Sequence, residues 1–267
     1  MDIKVAFFDV DGTIVDNHSM ESHESDMQLV PESTIEAIRL LQENGITPFI
    51  ATGRSPFMIE DLLEGLGIES YICTNGQYAV MNGKVMHEAP YNEELLDKIV
   101  NISKEHQITL LWMPTQHYVL SGDNQEVLLE ALANMNLPVP KIQTDLEKPT
   151  FKVYQMVAGI KKEEEHYFEP LKDEIRVLRW QPNGVDLLPL VGSKATAIQV
   201  ILDKLGLKPE NAIAFGDGLN DIEMLQTVGI GVAMGNAPQE TKNHADYVTA
   251  PVYEDGIYKA LKHFELI

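Results

Sequence analysis

Cysteine is nearly missing from this chain: Cys73 is the only one in 267 residues. No internal disulfide can form, and a reducing compartment is the natural expectation. A thiol-based phosphatase is excluded as well, since it needs an arginine shortly after its cysteine and Thr74 to Val80 contains none. Cys73 reads instead as a small buried hydrophobe within Tyr71-Ile72-Cys73. Basic residues are scarce, with 20 Lys and Arg against 41 Asp and Glu, for a formal net charge of −21. That balance argues against nucleic-acid and anionic-membrane partners, whose binding rests on clustered cations. Long apolar runs are also lacking, for no stretch approaches the ~18 residues that a membrane-spanning helix needs. The opening MDIKVAFFD is too short and too acidic for a signal peptide. The Asn101-Ile102-Ser103 sequon therefore carries no meaning, and the expectation is a soluble, cytoplasmic protein. Internal repeats and low-complexity tracts are absent.

What is present is ordinary globular composition, 44% hydrophobic and 23% charged, in a length that suits one large domain or two modest ones. The chain is organised around Lys4 to Val15, KVAFFDVDGTIV. Val5, Ala6, Phe7 and Phe8 have the length and β-forming character of a fully buried strand, which places Asp9 at its carboxyl end. In an open α/β sheet that edge is where ligands bind. A carboxylate there is ionised at neutral pH and can attack phosphorus without an activating base. Asp11, two residues on, is suited to general acid and base work. Gly12 permits the turn that brings the two together, and Thr13 adds a hydroxyl and an N–H for a phosphoryl oxygen. An EF-hand is excluded, because Gly12 is the fourth residue of the motif and not the sixth. Alone, a D-x-D turn is equally well a strand end with solvated acids.

Taken in order, Asp16 to Gln28 is polar, with His18, Glu21, His23, Glu24 and Asp26, and reads as a flexible loop whose position just past Asp11 suggests a flap; a metal site is the lesser alternative. Pro31 opens a helix that Gly45 ends. Strands at Ile46 to Ala51 and Ser70 to Thr74, with a helix from about Pro56 to Leu66 between them, set a β-α-β rhythm that predicts a parallel sheet with right-handed crossovers. Thr52 and Asn75 then share a sheet edge with Asp9. Asn82-Gly83 marks a hairpin. From about Tyr91 to Asp186 the pattern changes to helices at Asn92 to His106, Gln125 to Met135 and Lys162 to Lys172, interleaved with strands at Thr109 to Met113, Gln116 to Ser121, Phe151 to Ala158 and Ile175 to Trp180. Trp112 and Trp180 read as core. The α/β pattern resumes at Ser193 and Lys194 with a helix that Gly206 ends, then a strand at Asn211 to Phe215 leading into Gly216-Asp217-Gly218-Leu219-Asn220-Asp221. Further helices and strands follow to Phe264.

Separated stretches thus converge on one edge of one sheet. Thr52 offers a hydroxyl, and Lys194 at a helix start offers a point cation, for the same phosphoryl group. Asp9, Asp217 and Asp221 form an acidic cluster that repels itself unless a divalent cation neutralises it, and ligation by oxygen alone suits magnesium. Across DVDGT at Asp9 to Thr13, TGR at Thr52 to Arg54, NG at Asn75 and Gly76, SK at Ser193 and Lys194, and GDGLND at Gly216 to Asp221, the chain resembles the haloacid dehalogenase superfamily of phosphatases. More narrowly it is similar to the Cof-type, sugar-phosphatase-like group with a type IIB cap. The resemblance covers nearly the whole length. It implies a Rossmann-like parallel-sheet α/β core at 1–83 and 189–267, with an inserted α+β cap at 84–188 that sets substrate specificity. It also implies Asp9 as the nucleophile that forms an aspartyl-phosphate and Asp11 as acid and base. Thr52, Gly53, Lys194 and Asn220 would bind phosphate. Mg2+ would be held by Asp9, the Asp11 carbonyl and Asp217, with support from Asp221. Arg54 and Asn75 are candidate substrate contacts. Ala195 departs from the glycine usual after the motif lysine, and Asp16 to Val30 is longer than usual.

The expectation is therefore magnesium-dependent hydrolysis of a small phosphomonoester, a sugar phosphate, nucleotide or cofactor phosphate, under a lid hinged near Gly83 and Asp186 to Pro189. A dehalogenase of the same fold would have no use for Asp11 or Asp217. A phosphomutase, or a phosphate-ligand sensor without turnover, stays open as an alternative.

Overall fold

A computed structural model describes residues 2–16, 25–134, 139–190 and 192–267. The chain divides into two compact units, Met1–Glu88 with Gly192–Ile267, and Ala89–Val191. The first segment carries β1 (Val5–Phe8), α1 (Glu32–Glu43), β2 (Thr47–Ala51), α2 (Glu60–Leu66), β3 (Tyr71–Cys73), β4 (Tyr78–Met81) and β5 (Lys84–Glu88). The inserted unit carries α3 (Glu93–Glu105), β6 (Leu110–Met113), β7 (Val119–Ser121), α4 (Glu126–Asn134), β8 (Lys141–Gln143), β9 (Gln155–Ala158), β10 (Ile175–Gln181) and β11 (Gly184–Pro189). The first unit then resumes with α5 (Lys194–Leu205), β12 (Ala212–Gly216), α6 (Ile222–Thr227), β13 (Ile230–Ala233), α7 (Gln239–Lys242), β14 (Tyr247–Val248) and α8 (Gly256–His263).

The first unit is built on an eight-stranded sheet in the order β14-β13-β12-β1-β2-β3-β4-β5, parallel from β14 through β3, with β4 and β5 antiparallel at one edge. β1 is central because all four of its residues are apolar and buried, which only a strand covered on both faces can satisfy. Its side chains alternate between two cores. Ala6 and Phe8 join a cluster with α1, α2 and α8 through Ile38, Leu41, Leu62 and Leu261. Val5 and Phe7 join another with α5 and α6 through Ile198, Ile201 and Leu225. β12 repeats the alternation beside it, and Phe8 stacks on Phe215 with ring centroids 4.9 Å apart. The doubly covered sheet leaves the carboxyl ends of β1, β2 and β12 as the place where polar loops gather.

The inserted unit holds a six-stranded sheet, β10-β11-β9-β6-β7-β8, antiparallel except for β7 beside β8. Its core includes Leu96, Ile99, Leu110, Trp112, Met156 and Leu187. The buried Trp112 matches the sequence reading, while the side chain of Trp180 and residues 17–24, with His18, Glu21, His23 and Glu24, lie outside the described residues. Among the described residues, no helix is long and apolar enough to cross a membrane.

Several elements differ from the sequence reading. Asp186 to Pro189, expected as a hinge, belongs to β11, which pairs with β10 on one side and β9 on the other and buries Val185 and Leu187 completely. Gly83, the other expected hinge, sits in the tight turn between β4 and β5, where Asn82 and Gly83 take the left-handed conformations that a two-residue hairpin demands. The strand β5 pairs with β4, so 84–88 belongs to the first unit's sheet. Lys162–Leu171 is a 3₁₀ segment and not an α-helix, with Pro170 inside it withholding a backbone donor. β8 escaped notice because it is three residues long and wholly exposed.

β11 being a buried strand has a measurable consequence. Leu187→Ala should cost about 2–5 kcal/mol in chemical denaturation, the range for truncating a buried leucine, whereas a solvated hinge would tolerate it within about 0.5 kcal/mol.

Candidate active site

The site is assembled at the carboxyl ends of the central strands. After Phe8 the chain makes a tight turn in which the N–H groups of Thr13, Ile14 and Val15 all donate to the carbonyl of Val10. Gly12 has φ of +78°, and a Cβ there would come within 2.3 Å of Asp217 Oδ2, so glycine is what lets the Asp217 carboxylate lie against this turn. Asn236, just past β13, fastens the same junction by donating to the Gly12 carbonyl (2.8 Å) and to Asp217 Oδ2 (3.2 Å), while its own oxygen accepts from the Val252 N–H.

Lys194 is the hub. It opens α5 behind the N-cap Ser193, is 1% exposed, and donates from Nζ to Asp9 Oδ1 and Asp221 Oδ1, each at 2.6 Å. A cation in the first turn of a helix is opposed by the helix dipole, so the two carboxylates supply what holds its charge there. Burial opposes the ammonium, and the charges and hydrogen bonds of Asp221 and Asp9 outweigh it and raise the Lys194 pKa. Asp221, fully buried, spends its other oxygen on the N–H groups of Asp217 (3.0 Å) and Gly218 (2.9 Å). Asp221 thereby shapes the loop that carries Asp217.

Asp9, Asp217 and Asp221 each place a carboxylate oxygen within 4.8 Å of the others. Three carboxylates against one lysine leave an excess of two negative charges. At that spacing each like-charge pair costs about 3 kcal/mol at an effective dielectric of about 20. Burial, then Asp221, push the Asp9 carboxyl well above its usual range against the pull of Lys194. Burial and Asp221 likewise raise Asp217 to about 6. The donor set, all oxygen with a two-charge deficit, fits a divalent cation of the magnesium type.

Thr52 directly follows β2, is 1% exposed, and accepts at Oγ1 from the Arg54 N–H (3.2 Å), which leaves its hydroxyl proton to donate. Gly53 passes close to Asn75, where a Cβ would sit 3.1 Å from the side-chain amide. Asn220 donates to Asn75 Oδ1 at 3.3 Å, so these two amides form a pair at the site. The Thr13 hydroxyl is buried with no hydrogen-bond partner, but its N–H is committed to Val10 and is not the donor expected from the motif. Arg54, expected to face a substrate, forks onto Asp11, Nη2 to Oδ1 at 2.7 Å and Nε to Oδ2 at 3.0 Å, and donates from Nη1 to Asp26. Cys73 is buried and its thiol pKa is pushed up by that burial, which removes it as a nucleophile.

Sequence reasoning missed Asn236 and read Asp26 only as one of the acids of a polar loop. A polar residue three positions past the end of a parallel strand was the available signal for the first. Asp26 carried no local signal, since only the fold brings it to Arg54.

A family-wide sequence profile of haloacid dehalogenase-like hydrolases matches residues 6–261. The chain is 36% identical to YkrA of Bacillus subtilis over 267 residues, covering all of both chains. It is 28% identical to the 5-amino-6-(5-phospho-D-ribitylamino)uracil phosphatase YcsE of Bacillus subtilis, covering 100% of this chain and 97% of YcsE. Among solved structures, the HAD subclass IIB sugar phosphatase BT4131 superposes with a TM-score of 0.83 at 33% identity, over 99% of this chain and 100% of that one. Fold and acidic site together define a hydrolase built on a doubly covered α/β sheet. The chain belongs to the haloacid dehalogenase-like hydrolase family, as a phosphatase-type member.

The raised Asp217 pKa has a pH signature. Between its unfolded value of 3.8 and its folded value of about 6, the native protein holds a proton that the unfolded chain has lost. The stability this contributes is complete below 3.8 and is lost as pH rises through about 6. Thermal or urea melts of metal-free protein should therefore show stability falling by about 2 kcal/mol across that window, and Asp217→Asn should flatten the fall.

Proposed function

We propose that the protein hydrolyses a small phosphomonoester by a magnesium-dependent, two-step phosphoryl transfer through an aspartyl-phosphate. The observation that carries the reading is the Lys194 ammonium buried between Asp9 and Asp221 with Asp217 alongside. A nucleophilic carboxylate, a fixed cation and a divalent-ion donor set then meet at one point.

In the first step an Asp9 oxygen attacks phosphorus, the phosphorus–ester oxygen bond breaks, and Asp11 gives its proton to the departing alkoxide to make an alcohol. In the second step water attacks phosphorus and yields a proton to Asp11, and the bond from phosphorus to the Asp9 oxygen breaks. Phosphate leaves and both carboxyl groups return to their starting states. Lys194, the Thr52 hydroxyl, the backbone at Gly53 and the Asn220 amide would hold the non-bridging oxygens, which is positioning plus electrostatics. Asn75 would contact substrate beside Asn220. A magnesium ion held by Asp9, the Asp11 carbonyl and Asp217, with Asp221 orienting the set, would supply charge neutralisation for phosphoryl oxygens.

The inserted unit, Ala89–Val191, is the proposed specificity cap. The names of YcsE and BT4131 support a phosphorylated ribityl compound or sugar phosphate as substrate class. A small phosphorylated metabolite met in the cytoplasm fits the acidic chain, with no nucleic acid or membrane as partner. The test is phosphate release from a panel of sugar phosphates, nucleotides and cofactor phosphates. Release should be lost with EDTA, regained with magnesium, and lowered on the order of 10³-fold or more in Asp9→Asn. Release that persists in that variant would remove Asp9 as nucleophile, and folded wild-type protein that releases nothing would favour a phosphate-ligand sensor.

A further inference from the structure

The polar excursion after β1 leaves at Asp16 and returns at Leu29, where the Asp16 N–H donates to the Leu29 carbonyl at 2.9 Å. Its returning limb, 25–29, is docked on α2. The Ser25 hydroxyl donates to Asp61 Oδ2 at 2.8 Å and the Asp26 N–H donates to the same oxygen at 3.2 Å. Met27 packs over Gly65, where a Cβ would come within 2.5 Å of its sulfur, so a larger residue there would displace the methionine side chain. These contacts hold the Asp26 carboxylate against Nη1 of Arg54, while Nε and Nη2 of that guanidinium fork onto the two oxygens of Asp11.

The arrangement is a chain of three charged groups graded in exposure. Arg54 and Asp26 side chains are 16% and 19% exposed, whereas Asp11 is 48% exposed. A sheltered pair is stiffer and less screened than an exposed one. An arginine presents its donors in one rigid plane, so fixing one edge of the guanidinium fixes the direction of the other. Asp26 is therefore the anchor and Asp11 the group that is aimed.

We infer that Asp26 is a positioning residue that orients Asp11 through Arg54, and that docking of 25–29 on α2 is what sets the aim. The inference rests on the reading of Asp11 as acid and base and assigns residues 25–29 a part in catalysis. Neither Asp26 nor Arg54 need touch substrate in this role. Misaiming Asp11 should harm the protonation of the leaving oxygen and spare the binding of phosphate.

Leaving groups separate this from a structural role. An alkoxide needs Asp11's proton to depart, whereas p-nitrophenolate leaves without one. The measurement is kcat/KM, which reports the first transfer, on p-nitrophenyl phosphate and on whichever of glucose 6-phosphate, ribose 5-phosphate and glycerol 3-phosphate the wild-type protein turns over fastest. Asp26→Ala should lower the alkyl value by about tenfold or more, part of the ~10²–10⁴-fold that general acid catalysis supplies. The aryl value should change less than about threefold, KM for the alkyl ester should stay nearly constant, and Asp26→Asn, which keeps an acceptor for Arg54, should recover part of the loss. Equal losses on both esters, or no loss on either, would overturn the inference. A melting measurement tests the contact without turnover. Asp26→Ala should lower Tm by about 2–4 °C when Arg54 is present and by little in an Arg54→Ala background. A loss that persists in full without Arg54 overturns the relay even if the kinetic split is seen. An active Asp26→Ala protein without the split defeats only this inference, whereas wild-type protein that releases phosphate from none of the esters defeats the phosphatase reading and the relay with it.

Discussion

The structure depends on a lysine that has no business being buried without partners. Lys194 sits at the start of a helix, in the core of the sheet edge, with an amine that water does not reach. Its charge is tolerable only because Asp9 from β1 and Asp221 from the loop after β12 close on it from two directions. Removing the lysine leaves two buried carboxylates facing each other without a cation, so the fold and the site share a single electrostatic condition. The lysine does not complete the balance, since Asp217 stands in the same cluster and leaves it two charges short.

That condition explains how the sheet is used. β1 and β12 are neighbours in register, Phe8 beside Phe215, so the residues that follow them emerge side by side. Asp9 is the next residue after β1, and Asp217 the next after β12. β2 lies on the other flank of β1 and delivers Thr52 to the same edge. Covering both faces of the sheet with helices leaves this edge as the natural outlet for polar groups, and the three strands fill it with complementary ones.

Around that centre, the remaining contacts set directions. Asn236 ties the turn after β1 to the Asp217 loop, Asp221 folds that loop onto itself, and Arg54 reaches from the end of β2 to Asp11. Each acts by spending donors or acceptors on a neighbour. The reading in which Asp9 attacks phosphorus draws its force from this division between groups free to meet a ligand and groups that hold them in place.

Much of this was legible in the chain itself. Strand runs such as Val5 to Phe8 and Ala212 to Phe215 are short, apolar and followed within two residues by an acid, so their ends and the sheet edge could be read locally. The hairpin at Asn82-Gly83 and the helix stops at Gly45 and Gly206 were equally plain, because backbone conformations that favour glycine leave a mark in sequence. β11 was not, since the run GVDLLP carries an internal aspartate and a terminal proline and shows its strand character only through pairing on both sides. The burial of Lys194, the commitment of the Thr13 N–H to its own turn, the Asn236 clasp and the turning of Arg54 toward Asp11 and Asp26 were settled by tertiary structure alone. The sequence by itself determined which chemical groups arrive at the edge, because strand pattern and motif spacing are local. Which of those groups are free and which are spent holding others is decided between residues as far apart as Lys194 and Asp9, and no local pattern encodes a partner at that distance.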